Sequence, residues 1–224
     1  MAVYRPFKAF RPKPEYAGEI AAKPYDVLNS SEAREEVKGH PLSFLHVGKP
    51  EIDLAPDINL YDTIVYEKGR ENLQNLIYDC YLDQDTEPYF YVYAQTMNGR
   101  TQYGLVGCAS VDDYWNDVIK KHEKTRKDKE EDRSNHVRVT NAHSGPIFLT
   151  YRDDNDINNI VGKIVSEKPE NDHVAADGIR HQSWVIRDKE LISKIYEILA
   201  NINHFYVADG HHRSAAAGIV GRER

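Results

Sequence analysis

Cysteine is scarce in this chain, which holds only Cys80 and Cys108. Two thiols cannot build a disulfide framework, and their spacing matches no cysteine-ligated zinc site. Both lie in apolar surroundings and read as reduced core residues of a cytoplasmic protein. Long apolar runs are missing as well. No segment approaches the length of a membrane span, and the proline-rich start has no hydrophobic stretch of the signal-peptide kind. Positive charge is not in surplus: 29 Lys and Arg against 36 Asp and Glu give a formal net charge of −7. That balance argues against a broad nucleic-acid surface and leaves room for a local basic pocket. There is no internal repeat and no low-complexity linker. The expected partner is a small-molecule substrate, with neither nucleic acid nor membrane contacted by this portion.

What is present is enough for a core, since 40% of the 224 residues are hydrophobic. Tyrosine is abundant, at 15 residues mostly in the first half, and suits amphipathic packing with wet hydroxyls. Prolines 6, 12, 14, 24, 41 and 50 punctuate the first fifty residues into extended pieces and turns. Ser30 or Ser31 with Glu35 predicts a short helix over 31–38, and 41–47 reads as a strand carrying Phe44 and Leu45. Leu73, Leu76, Ile77 and Cys80 recur at helical spacing within 61–82. Residues 87–96 and 101–110 flank Asn98-Gly99, the strongest short hairpin signal. Residues 111–132 read as helix, 145–151 as strand, 156–166 as helix and 181–187 as strand. Asp188 is placed to cap a helix whose Leu191, Ile195, Ile198 and Leu199 share one face. The alternation predicts an α+β (α/β-like) fold: one domain over 1–224 with a mixed sheet, a hairpin and flanking helices.

The densest chemistry follows. Residues 204–208 form a short aromatic and β-branched strand. Asp209 comes next and can cap a following helix. Gly210 permits a sharp bend or the close approach of a ligand. His211, His212 and Arg213 crowd the helix start, where the first-turn N–H groups and the helix dipole favour an anion. Arginine suits phosphate in a forked geometry. Asp209 beside that anion has two possible jobs, general base toward a hydroxyl or ligand for magnesium. The competing reading is an ordinary capped helix with solvated histidines, and spacing alone splits the two evenly.

The mixed-charge segment 120–133 also has two readings. One is a solvated helix with pairs such as Glu123 and Lys127. The other follows from one unbroken helix, in which Trp115, Val118, Ile119, His122, Arg126 and Arg133 share a band about 100° wide. Inward arginines would then need a carboxylate or phosphate partner. Lys23-Pro24 forces Tyr25-Asp26 into an extended or turn context. On the 181–187 strand Trp184 and Ile186 face the core with Gln182, while His181 points the other way.

These pieces, in order, carry a resemblance. Arg5-Pro6-Phe7, Lys23 to Leu28, His40-Pro41-Leu42-Ser43-Phe44-Leu45, the tyrosine-rich strand at 89–93, His122-Glu123-x-Thr125, Asp132-Arg133, His181-x-x-Trp184 and Asp209-Gly210-His211-His212-Arg213 resemble a large, mainly bacterial family of uncharacterised proteins, the domain of unknown function ten-fifteen. Members are typically near twice this length, which implies that the chain is the N-terminal portion of a longer protein. The last motif also resembles the phosphate-binding turn of the ParB and sulfiredoxin-like superfamily, and within it most resembles the free serine kinases. Sulfiredoxin chemistry needs a cysteine in this turn, and none is present. The kinase resemblance implies ATP or ADP with Mg2+ as cofactor, and a small hydroxylated metabolite such as serine as substrate. It implies Asp209, His211, His122 and Glu123 as the catalytic group, with Asp209 a possible magnesium ligand. Gly210, His211, His212, Arg213 and Arg133 would bind phosphate, with Tyr25, Asp26 and His181 in support. The upstream glutamate of those kinases has two candidates, Glu35 and Glu123. Lys23, Arg126 or Arg133 would offset developing charge. A ParB-like implication is a nucleotide-binding regulatory module without catalysis, and a third reading is a structural domain holding a buried polar network.

Overall fold

The computed structural model describes residues 2–224. Along the chain lie β1 (Tyr4–Arg5), β2 (Phe10–Pro12), α1 (Ala17–Ile20), α2 (Ser30–Glu36), α3 (Leu45–Gly48), α4 (Thr63–Tyr78), β3 (Leu82–Gln84), β4 (Phe90–Met97), β5 (Arg100–Val106) and β6 (Cys108–Ala109). Then come α5 (Val111–Trp115), β7 (Ile119–Lys120), α6 (Lys127–Thr140), β8 (Phe148–Thr150), α7 (Asn155–Val165), β9 (Asn171–Val174), β10 (Arg180–Ile186), α8 (Lys189–Ala200), β11 (Phe205–Asp209) and α9 (His211–Glu223). This is an α+β fold with small mixed and antiparallel sheets. Contacts gather into two compact units. One is Met1–Gly18, Leu82–Lys120 and Thr150–Tyr206; the other is Glu19–Tyr81, Lys121–Leu149 and Val207–Arg224.

The first unit is sheet-rich. Its four-stranded sheet runs β5-β4-β10-β9. Asn98 and Gly99 both take positive φ, 52° and 77°, so β4 and β5 are joined by the tight turn whose twist matches a hairpin. Antiparallel register sets Trp184 opposite Val92 and Ile186 opposite Phe90. Period-two alternation then puts Phe90, Val92, Ala94, Trp184 and Ile186 into the core. α7 packs on this sheet and α8 packs on α7, burying Ile157, Ile160, Ile195 and Leu199. Asp188 caps α8 as expected, accepting from the amides of Glu190 and Leu191. Gly107 sits where a Cβ would come within 2.6 Å of the Tyr4 ring and 2.8 Å of Phe90. Those two rings stack with centroids 5.9 Å apart. β11 begins in this unit, pairing parallel with β7 through Phe205↔Ile119 and Tyr206↔Lys120.

The second unit is mostly helical. α2 starts one residue earlier than expected, with a different cap. Asn29 and Glu32 exchange side-chain and backbone hydrogen bonds in a capping box. Ala33, Leu45 and Ile52 form a buried cluster with Leu28 and Val37 against it. Residues 41–47, read as a strand, instead make turns and the start of α3; a short apolar run does not separate strand from helix by periodicity. α4 lies against α3 and α6, and α6 packs along α9. Both helices carry small buried side chains, Ser134 on α6 and Ser214, Ala215 and Ala216 on α9. Both cysteines are free and exposed, which corrects their reading as core. Cys80 stands just past the end of α4 with a positive φ of 60°, so helical spacing no longer governs its side chain.

Candidate functional site

The turn between β11 and α9 is built around Gly210, whose φ of 87° and ψ of 36° are left-handed. A Cβ there would also lie 3.1 Å from Arg213 Nε, and 3.2 Å from both Arg213 Cζ and Ile147 Cγ2. Glycine is therefore required by dihedral and by space. The bend makes Gly210 the cap position and leaves α9 without a side-chain cap. Asp209 does not cap the helix, contrary to the sequence expectation. It ends β11, and its Oδ2 accepts from Arg213 Nη2 at 2.6 Å. Arg213 Nη1 donates to the Pro146 carbonyl, and Gly145 lets the Arg213 stem pass, since a Cβ would be 3.1 Å from its Cδ. Residues 145–146, read from the sequence as the start of a strand over 145–151, instead form a loop ahead of β8 and hold the arginine in place.

His211 is the first residue of α9 and is 8% exposed. Its ring meets His122 edge to face, with centroids 4.5 Å apart. Its Nδ1 is 3.4 Å from Glu123 Oε2, and its buried Nε2 has no hydrogen-bond partner among the described residues. His212 Nε2 accepts from the Arg126 amide at 3.2 Å, so the ring that makes this bond carries its proton on Nδ1. His122 and Glu123 lie in an irregular, exposed stretch before α6. The continuous helix through 111–132 does not form. α5 stops at Trp115, Asp117 adopts a φ of 60°, and β7 intervenes before helix resumes at Lys127. The apolar-to-basic stripe therefore has no helix to run along, and Glu123 precedes the helix that contains Lys127.

Arg133 still needs the partner foreseen for a buried arginine. Its guanidinium pairs with Asp132 at 2.8 Å, reaches the Gly48 carbonyl and stacks over Tyr25 at 4.2 Å. Asp132 is 7% exposed and accepts a second hydrogen bond from the Tyr66 hydroxyl at 3.0 Å. Burial and the Asp132 carboxylate push Tyr66 up to about 12. Burial also raises Tyr25, against the opposing fields of Arg133 and Arg213. The phenol is thus close enough to feel both guanidiniums. One turn further along α6, burial pushes His136 down to about 4, with Arg133 adding to the effect. Its neutral ring donates from Nε2 to the Val47 carbonyl at 2.9 Å.

The description "Protein of unknown function (DUF1015)" names a family whose sequence pattern matches residues 4–224. The chain belongs to this family. No curated protein matches, and no solved structure does either. The family description carries no chemistry, so the site of this DUF1015 chain is read from its own residues.

Asp209, Gly210, His211, His212, Arg213, His122, Glu123, Arg133, Tyr25 and Asp26 all belong to the helical unit. Contacts link His211 to His122 and Glu123, Arg213 to Asp209, and Arg133 to Tyr25. Asp26 is exposed on the turn after Pro24. Glu35 pairs with Lys38, and Lys23 with Glu36. Arg126 binds Asp128 beside the start of α6. His181 belongs to the sheet-rich unit, where the Tyr93 hydroxyl meets its Nδ1 at 2.6 Å and His173 stacks on it at 5.2 Å. Burial lowers the pKa of His181. Asp132 entered the sequence reading only beside Arg133 in a motif, and Tyr66 and the carbonyl at Pro146 escaped it. Their roles depend on α4 and the 145–146 loop, and no local spacing signals them. A surface groove lies elsewhere, between α7 and α8, lined by Asp156, Asn158, Gly162, Lys163, Ser166 and Lys194. Its lining holds one carboxylate, one serine hydroxyl and no histidine, so side-chain chemistry rather than concavity selects the α9 turn.

Proposed function

We propose that the 210–213 turn binds the phosphates of ATP or ADP with Mg2+, and that the protein transfers a phosphoryl group to a small hydroxylated metabolite such as serine. One observation carries the reading. A left-handed glycine opens a 13-residue helix that no side chain caps, and two histidines and an arginine stand in its first turn. Uncapped first-turn N–H groups and the dipole attract an anion. Asp209 keeps most of its side chain in solvent, where an acceptor hydroxyl can reach it. The acceptor oxygen attacks the terminal phosphorus, the bond to the bridging oxygen breaks, and the shortened nucleotide leaves. The hydroxyl proton passes to Asp209. Arg213 and Arg133 offset charge on the phosphoryl oxygens.

A second reading is a structural polar network. It draws on Arg213 being already engaged by Asp209 and the Pro146 carbonyl, with Arg133 engaged by Asp132. A ParB-type regulatory module would bind nucleotide without turnover. Isothermal titration with ATP, ADP and CTP, with and without Mg2+, separates these. Absence of all binding leaves the structural network. Binding with no phosphorylated product, by mass spectrometry of a pool of serine-like metabolites, selects the regulatory module.

A further inference from the structure

We infer that His122, Glu123 and His211 form a binding site for a divalent transition metal of the zinc and cobalt class. Each residue offers one ligand atom, and these atoms lie within 4.8 Å of one another. Two ligands on one such ion, at bond lengths of about 2.1 Å, stand roughly 3–3.4 Å apart. The His211 Nδ1 to Glu123 Oε2 separation is already 3.4 Å. That distance is long for a hydrogen bond and right for two ligands of a shared ion. The remaining separations need close by only about 1–2 Å to reach ligand spacing. His122 and Glu123 sit on an exposed irregular stretch that can supply this movement.

The second observation is the state of His211. It is almost fully buried, yet Nε2 has no hydrogen-bond partner among the described residues and Nδ1 has only the long approach to Glu123. A buried imidazole left in this condition is costly, and a cation held on Nδ1 turns its long approach to Glu123 into a full interaction. The two rings stand at 88° to each other, so both can turn a nitrogen edge toward a common point. Two nitrogens and one carboxylate favour a borderline ion over Mg2+, which prefers oxygen ligands. Three protein ligands also leave positions open for water or a phosphate oxygen at the start of α9. This ion is separate from the Mg2+ of the nucleotide, and the inference stands without the phosphotransfer reading.

The test is titration of the folded protein with Co2+ in the absence of nucleotide, followed by visible absorption. The expected result is one saturable equivalent that Zn2+ displaces and equimolar Mg2+ does not. Glu123→Gln and His122→Ala change exposed residues and should retain the fold by circular dichroism. Each should weaken Co2+ binding by more than the roughly 10- to 100-fold that loss of an outer-shell partner costs. His211→Ala should abolish binding, and His212→Ala should leave it unchanged. The inference is overturned by absence of saturable binding, by ready displacement with Mg2+, or by unchanged affinity in both His122→Ala and Glu123→Gln. Nucleotide titration with Mg2+ alone is a separate measurement, so failure of one reading is distinguishable from failure of the other.

Discussion

Replacing Gly210 with alanine tests the construction of the turn directly. Two costs add. A residue with a Cβ in the left-handed region loses about 1–2 kcal/mol, and Gly210 has a φ of 87°. The new methyl would also sit 3.1–3.2 Å from Arg213 Nε and Cζ and from Ile147 Cγ2. Arg213 is the side most able to move, but moving it strains its bonds to Asp209 and the Pro146 carbonyl. Because Asp209 is well exposed, that share is held to about 1 kcal/mol. The total is roughly 2–3 kcal/mol. Urea unfolding followed by far-ultraviolet circular dichroism measures it as a lower midpoint at constant slope. The sharper measurement is a double-mutant cycle. In an Arg213→Ala background the crowding by the guanidinium is gone, and Gly210→Ala should cost the dihedral term of about 1–2 kcal/mol with only the contact to Ile147 added. A coupling of about 1 kcal/mol is expected. A Gly210→Ala cost below about 0.5 kcal/mol, or an equal cost in both backgrounds, would refute the reasoning.

Gly107→Ala should cost about 3 kcal/mol, because its methyl would enter the stacked Tyr4 and Phe90 rings; a thermal midpoint like that of the parent would contradict the packing. His136 should make stability fall with acid. Its folded pKa of about 4 lies below the ordinary 6.5, so the unfolded state binds more protons in that window. Its contribution is full above pH 6.5 and is lost as pH falls toward 4, amounting to about 3 kcal/mol. His136→Gln should flatten the slope of unfolding free energy against pH between those limits, and an unchanged slope would assign it to other groups. Asp209→Asn should remove phosphoryl transfer while sparing nucleotide affinity; equal loss of both would point to a metal or structural role. Arg213→Ala should weaken nucleotide binding about tenfold, or 1.4 kcal/mol, and unchanged calorimetric affinity would remove the phosphate turn.

Local signals were legible wherever the determinant is local. Asn98-Gly99 specified the hairpin because both residues tolerate positive φ. Asp188 and the apolar face behind it specified α8, since a cap and a 3.6-residue period are both short-range. The same logic failed at Asp117, where a single left-handed residue ends a pattern that continues by count. It failed at 41–47, where apolar content suits strand and helix alike. It also failed at Cys80, placed by periodicity on a helix that ends before it.

The sequence by itself determined the mixed α+β class, the glycine turn after β11 and the basic, histidine-bearing start of α9. Each follows from backbone preference or charge within a few consecutive residues. Tertiary structure decided the rest. It turned Asp209 from a helix cap into the partner of Arg213, gave Arg133 its Asp132 and Tyr25, and set His122 and Glu123 beside His211. Those pairings join residues up to about a hundred positions apart in the chain. Local propensity carries no information about them, and only closing the loops around a packed core brings the side chains within reach.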